Sequence, residues 1–217
     1  MNIRTTEQLN EALSDELAWR KKELSTLKLL AEKNNAAGKR QTFIRSDIAL
    51  LYAHWEGFIK AASVAYLELV ASKRLKYDEL AINFVALGMR GELNDAGVSF
   101  KSTIHNRVAD FFINHMSEIS NIPYEGIIRT GNLNAEELQN IVAMLGLDYS
   151  PFETKENLID QTLLYSRNNI AHGAYLRVGL EEYLELQEQV IMMLDWFRNQ
   201  IENAAIMENY RIRPPGI

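Results

Sequence analysis

Cysteine is missing from all 217 residues, and that absence removes disulfide scaffolds and thiolate metal sites together. Proline is nearly as scarce, with four in the chain, so little interrupts long helices from within. No apolar run approaches the ~18–20 residues that a membrane span needs, because charges break every candidate. The start, Met1-Asn-Ile-Arg-Thr-Thr-Glu, lacks the apolar segment of a secretion signal. These absences point to a cytoplasmic protein with no membrane partner. Basic residues are also in deficit, 23 against 29 acidic ones, for a net charge of −6. That balance argues against a protein that coats nucleic acid non-specifically, and it confines any contact with a polyanion to a local, salt-sensitive cluster of arginines. A glycine-rich phosphate loop and a G-x-S-x-G elbow are both missing, so NTPase and esterase readings have nothing to rest on. His105 and His115 lie ten residues apart, not at the i, i+4 spacing of a helical metal site. The expectation is a protein without metal or cofactor.

What is present is helical periodicity. It predicts an all-α chain of about seven helices, without internal repeats or low-complexity tracts. The first helix is predicted over about Thr6–Asn34, with Leu9, Leu13, Leu17, Leu24, Leu27 and Leu30 near helical spacing. A break at Asn34–Gly38 precedes a second, longer helix from about Thr42 to Ser72, whose stripe is Ile44, Ile48, Leu51, Trp55, Phe58 and Ala62. Gly57 falls inside this helix, whereas most glycines lie between periodic segments. Residues Tyr77–Ser102 read as one short helix followed by a loop, and as an insertion over the polar stretch at residues 166–173. Thr103–Ile119 resumes as a helix with Val108, Phe111, Phe112 and Met116 on its core face. Asn134 opens a helix that Gly146 closes, Thr154 is expected to N-cap the next one, and an acidic helix spans about Leu180–Met207.

One stretch concentrates polar chemistry: Ser166-Arg167-Asn168-Asn169-Ile170-Ala171-His172-Gly173. Ile159, Leu163, Ser166 and Ile170 enter it at i, i+4, i+7 and i+11, which is helical, and Gly173 follows as a C-terminal stop. Asn168 and His172 are i, i+4 and share a face, whereas Arg167 and His172 lie about 140° apart around the axis. An arginine and a histidine in the last turn are also what the helix dipole favours, so a capping role stays open.

Arg167-Asn-Asn-Ile-Ala-His172 fits the R-x(4–6)-H motif and so resembles the HEPN superfamily of helical RNases, including its preference for a polar residue after the arginine. Ala49-Leu-Leu-Tyr-Ala-His-Trp-Glu-Gly-Phe-Ile-Lys60 resembles the long helix of bacterial HEPN-like nucleases of the MAE type. Gly131-Asn-Leu-Asn134, with Gly146-Leu147 beyond it, resembles that branch's lead-in to the motif. The likeness implies an HEPN-like helical domain over 41–210, an N-terminal helix over 1–40 packed on the bundle, and a flexible tail at 211–217.

It also implies an activity. RNA carries its own nucleophile, the 2′-hydroxyl, so an enzyme must remove that proton, stabilise charge on the phosphoryl oxygens and protonate the 5′-oxygen. Histidine suits either proton transfer near neutrality, and arginine presents a planar fork to phosphate. The resemblance assigns these roles to Arg167, Asn168 and His172, without metal, giving a 2′,3′-cyclic phosphate and a 5′-hydroxyl. One motif supplies one imidazole, and HEPN nucleases pair two motifs across a homodimer. The family's biology implies a toxin or defence effector held in check by an antitoxin or other regulatory protein. Glu56, His54, Asp47 and Arg45, polar interruptions of the long helix, are the candidates for supporting the site; equally, they form an ordinary charged side. The competing reading is a non-catalytic HEPN-like module that binds RNA, nucleotides or proteins.

Overall fold

The computed structural model describes residues 3–34, 36–128 and 131–212. Its first helix begins where the sequence supplies a reciprocal cap. Thr5 Oγ1 accepts from the Gln8 N–H at 3.2 Å, and Gln8 Oε1 accepts from the Thr5 N–H at 3.2 Å. This capping box satisfies two otherwise orphaned donors. From it α1 runs over Thr6–Lys33 and buries Leu9, Leu13, Leu17 and Leu24, while Leu30 stays exposed.

The centre of the molecule is α2, Ala37–Ser72, 36 residues long. It starts five residues earlier than the periodicity suggests, because Gly38 is helical and the break shrinks to the residues before Ala37. Ile44, Ile48, Leu51, Trp55, Phe58 and Ala62 are all buried, as their stripe predicts. Helix α1 folds back on α2, and α9, Leu180–Ile206, packs on both. Tyr183, Leu186, Val190, Leu194, Phe197 and Ile201 of α9 are buried, while Glu181, Glu182, Glu185 and Glu188 face solvent. Helix α1 shares one core with α2 and α9.

Gly57 has a specific role in this core. A Cβ there would lie 3.1 Å from Nη1 of Arg20, whose guanidinium packs against the bare backbone. Arg20 is buried, with Nη2 2.7 Å from Glu16 Oε2 and its guanidinium 4.3 Å from the Trp19 ring centroid.

The middle of the chain departs from expectation. Instead of one helix and a loop, Tyr77–Ser102 forms a 3₁₀ turn at Tyr77–Glu79 and two helices, α3 at Ile82–Gly88 and α4 at Arg90–Val98. Asn94-Asp-Ala-Gly97 is therefore helical, on an element with no buried residue. Helix α3 packs on α6, Ala135–Leu145, and α4 packs on α3 and α5, Ser102–Asp110. The expected core face of α5 and its π-helical extension Phe111–His115 is only partly formed. Phe111 and Met116 pack against the core, but Phe112 is exposed and no residue of α5 is buried. Among the described residues α4 is the main helical neighbour of α5, and that contact buries none of its side chains.

Helix α6 agrees with the sequence: Asn134 Oδ1 accepts from the Glu137 N–H at 2.7 Å, and Gly146 ends it in the left-handed conformation. Thr154 does not cap the motif helix. It follows α7, Ser150–Glu153, and the next helical stretch enters as a π-helix at Leu158–Leu164 with no side-chain cap. Among the described residues there is no strand, only isolated bridges at Lys76–Ile119 and Leu80–Arg211. Most of the tail expected to be flexible, residues 213–217, lies outside the described residues; Arg211 itself bonds Glu208 at 2.7 Å. None of the described helices is long and apolar enough to cross a membrane.

Candidate functional site

The π-helical stretch Leu158–Leu164 passes without a break into α8, Tyr165–Ala171, which packs against α2. A π segment widens the turn, and such segments recur at functional sites. Ile159, Leu163 and Ser166 are buried, so the inward stripe fixes α8 with Arg167 and Asn168 half-buried at its flank. The helix closes in a Schellman arrangement: the Gly173 N–H donates to the Ile170 carbonyl at 3.1 Å, and the Ala174 N–H to the Asn169 carbonyl at 2.9 Å. Gly173 takes φ +77°, which a side chain would resist. His172, immediately before it, is exposed, and its ring has no hydrogen-bond or ionic partner among the described residues.

Arg167 points inward. Its Nη2 donates to Asn132 Oδ1 at 2.8 Å and to the Gly131 carbonyl at 3.2 Å, and lies 4.0 Å from Glu56 Oε2. The guanidinium covers the ring of Tyr52, whose hydroxyl accepts from the Leu133 N–H. Burial pushes the Tyr52 phenol up, with Glu56 adding to that and the bonds from Arg167 and Leu133 opposing it. Glu56 also accepts from Lys60 Nζ at 2.6 Å. The Asn168 side chain, half-buried on the face of His172, has no bonding partner among the described residues.

The four candidate supporting residues of α2, Arg45, Asp47, His54 and Glu56, divide between two sides. Glu56 faces Arg167. Arg45, eleven residues earlier, donates from Nη2 to the Ala174 carbonyl at 2.9 Å, two residues beyond His172. His54 and Asp47 point elsewhere. His54 is buried against α1, with Nε2 2.8 Å from Glu23 Oε2, though off the line of a hydrogen bond, and its ring edge-on to Trp19. Burial lowers its affinity for a proton, which Glu23 partly restores. Asp47 is buried against Tyr183 of α9, and loss of water raises its carboxyl to about 6. These two side chains sit in the α1–α2–α9 packing, not beside Arg167.

Sequence reasoning passed over Tyr52 and Asn132 as individual residues. Tyr52 is readable in retrospect: Arg45, Tyr52 and Glu56 stand at i, i+7 and i+11, one face of α2. Asn132 comes from an irregular segment 35 residues before Arg167, and no periodicity leads to it. Among the described residues, no three His, Asp or Glu side chains form a group that could hold a metal ion.

No curated protein and no solved structure is a significant match to this sequence. The model of the MAE_28990-like HEPN family matches residues 9–210, which takes in α2, the Gly131–Asn134 segment and the Arg167–His172 motif. By that match over nearly its whole length, the chain belongs to the MAE_28990-like HEPN family.

Proposed function

We propose that the protein is a metal-independent endoribonuclease of HEPN type. Arg167 holds the scissile phosphate, His172 moves a proton at the 2′- or 5′-oxygen, and Asn168 orients the imidazole or contacts the phosphate. The attacking 2′-oxygen loses its proton to the base, the 5′-oxygen gains one from the acid, and the products are a 2′,3′-cyclic phosphate and a 5′-hydroxyl. The observation that carries this reading is an exposed imidazole, without a partner among the described residues, at the end of the seven-residue helix that also bears Arg167.

Acid and base are two roles, so two copies of the chain supply them, with both motifs facing one strand of RNA. In the cell the enzyme acts as a toxin or defence effector restrained by a regulatory protein.

A second reading, a non-catalytic binding module, draws on the net charge of −6 and on the bonds that hold Arg167 to Asn132, Gly131 and Glu56. The deciding experiment incubates purified protein with total RNA and excess chelator, beside His172→Ala. Cleavage that survives chelation and disappears in the variant supports the nuclease. Intact RNA with both proteins, or equal cleavage by both, ends it.

A further inference from the structure

Basic residues are scarce overall, yet they gather beside the motif. Residues 36–46, at the start of α2, contain Lys39, Arg40 and Arg45 and no acid, and residues 173–180 contain Arg177 and no acid. The acids that follow are Asp47, buried against Tyr183, and, in the first turn of α9, exposed Glu181 and Glu182, whose Oε2 lies 3.4 Å from the Gly179 N–H.

The segment between α8 and α9 lies along α2 and is fixed there. Arg45 holds the Ala174 carbonyl, and Gln41 Nε2 approaches the Leu176 carbonyl at 3.5 Å. Leu176 and Val178 turn into a small apolar cluster with Ile44, Ile48 and Tyr183. Their neighbours Tyr175 and Arg177 turn out to solvent, the alternation of an extended chain. The two outward side chains are therefore about 6.6 Å apart along the backbone. Tyr175 is 76% exposed although the Arg45 guanidinium lies 5.6 Å from its ring centroid. An exposed aromatic ring steadied by a cation, on a segment pinned at both ends, is an ordered stacking platform.

Between this segment and α2 lies a groove of about 320 Å³, lined by Arg40, Gln41, Ile44, Tyr175, Arg177 and Val178, among others. That is the lower end of the range for small-molecule sites, about 300–1,000 Å³. Tyr175 follows His172 by three residues, so their Cα atoms are at most about 11 Å apart.

We infer that this groove is a nucleotide subsite for single-stranded RNA, next to the scissile position. One base stacks on Tyr175, and the adjoining phosphate is held by Arg40 and Arg177. Stacking on an aromatic ring tolerates any base; Arg40 is steadied by its Nε bond to the Asn34 carbonyl at 2.7 Å, which leaves its Nη groups to join Arg177 in holding a phosphate. The proposal rests on the nuclease reading for the scissile position, but the binding it predicts is independent of cleavage.

The test measures fluorescence anisotropy of a labelled, mixed-sequence hexaribonucleotide with His172→Ala protein as the parent, so that the probe stays intact. Tyr175→Ala should weaken binding about tenfold, within the range for loss of one stacked base. Tyr175→Phe should bind like the parent. Arg177→Ala should weaken binding and flatten the dependence of log affinity on log salt by about 0.7, one phosphate contact fewer on a single strand. Parent-like binding by Tyr175→Ala, or no binding by the parent, overturns the subsite. Loss of binding with Tyr175→Ala, together with no cleavage by any form of the protein, would uphold the subsite and end the nuclease reading alone.

Discussion

The guanidinium carbon of Arg167 lies 4.2 Å from the centroid of the Tyr52 ring. This contact, with the bonds to Asn132 and Gly131, makes Arg167 part of the fold as well as of the proposed site. His172, exposed on the same helix, has no such second role. The two alanine variants should therefore separate. Both lose RNA cleavage, His172→Ala by about 10²–10⁴-fold if it performs a proton transfer. Only Arg167→Ala also melts earlier, by about 1–2 kcal/mol for a half-buried cation–π contact and a side-chain bond. Arg167→Lys should recover little activity, because a single ammonium cannot reproduce the fork. Cleavage assays beside thermal melts read both effects, and equal stability losses in the two alanine variants would count against this division.

The Tyr52 hydroxyl can be tested apart from its ring. It accepts from the Leu133 N–H, a backbone donor at a buried residue. Tyr52→Phe keeps the ring beneath Arg167 but leaves that donor unsatisfied, at a cost of about 1–3 kcal/mol. Tyr52→Leu removes the ring as well, and should cost about 0.5–2 kcal/mol more for the lost cation–π contact. Urea midpoints of the two variants give the difference; the same midpoint for both would mean that the ring contributes nothing.

How much of this was legible beforehand follows from the range over which each signal acts. The stripe from Ile44 to Ala62 is a local 3.6-residue pattern, and all six positions are buried. Gly146 and Gly173 end helices as their sequence context implies, both at positive φ. Phe112 misled because an apolar residue at helical spacing says nothing about whether a partner covers it, and the neighbours of α5 leave it open. Of the polar residues of α2, Asp47 and His54 align at i, i+7, but their partners Tyr183 and Glu23 lie 136 and 31 residues away along the chain. A face is readable from spacing; the element that comes to meet it is not. The π-helical entry at Leu158–Leu164 likewise has no marker in a pattern that fits an ordinary helix as well.

Gly57 offers a packing test that leaves the motif alone. A helical glycine normally gains up to about 1 kcal/mol when replaced by alanine. Here the new Cβ would meet Arg20 Nη1 at 3.1 Å, and that guanidinium is held by Glu16 and Trp19. Gly57→Ala should therefore be close to neutral, the two effects offsetting. Gly57→Leu must displace the Arg20 guanidinium and should destabilise by about 1–3 kcal/mol. Repeating the pair in an Arg20→Met background checks the cause: the extra cost of leucine should shrink, and a cost independent of residue 20 would refute the explanation.

Asp47 should give the chain a measurable pH dependence. Its buried carboxyl titrates near 6 instead of the ordinary 3.8, loss of water being the largest cause and the hydrogen bond from Tyr183 opposing it. A folded-state value raised above the unfolded one means that the fold favours the protonated acid. The stabilisation from protonation is thus fully present below about pH 4 and is lost as pH rises through about 6. Asp47→Asn keeps a neutral group that accepts from Tyr183 and does not ionise. At pH 7.5 the variant should gain about 2–3 kcal/mol relative to its own difference from the parent at pH 4, since each unit corresponds to 1.36 kcal/mol. Any constant cost of the new amide N–H groups cancels in that comparison. The titration of buried His54 cancels as well, being common to both proteins. Urea denaturation of parent and variant at the two pH values measures the change, and a stability difference that stays constant from pH 4 to 7.5 would show that the Asp47 carboxyl is not held protonated by its burial.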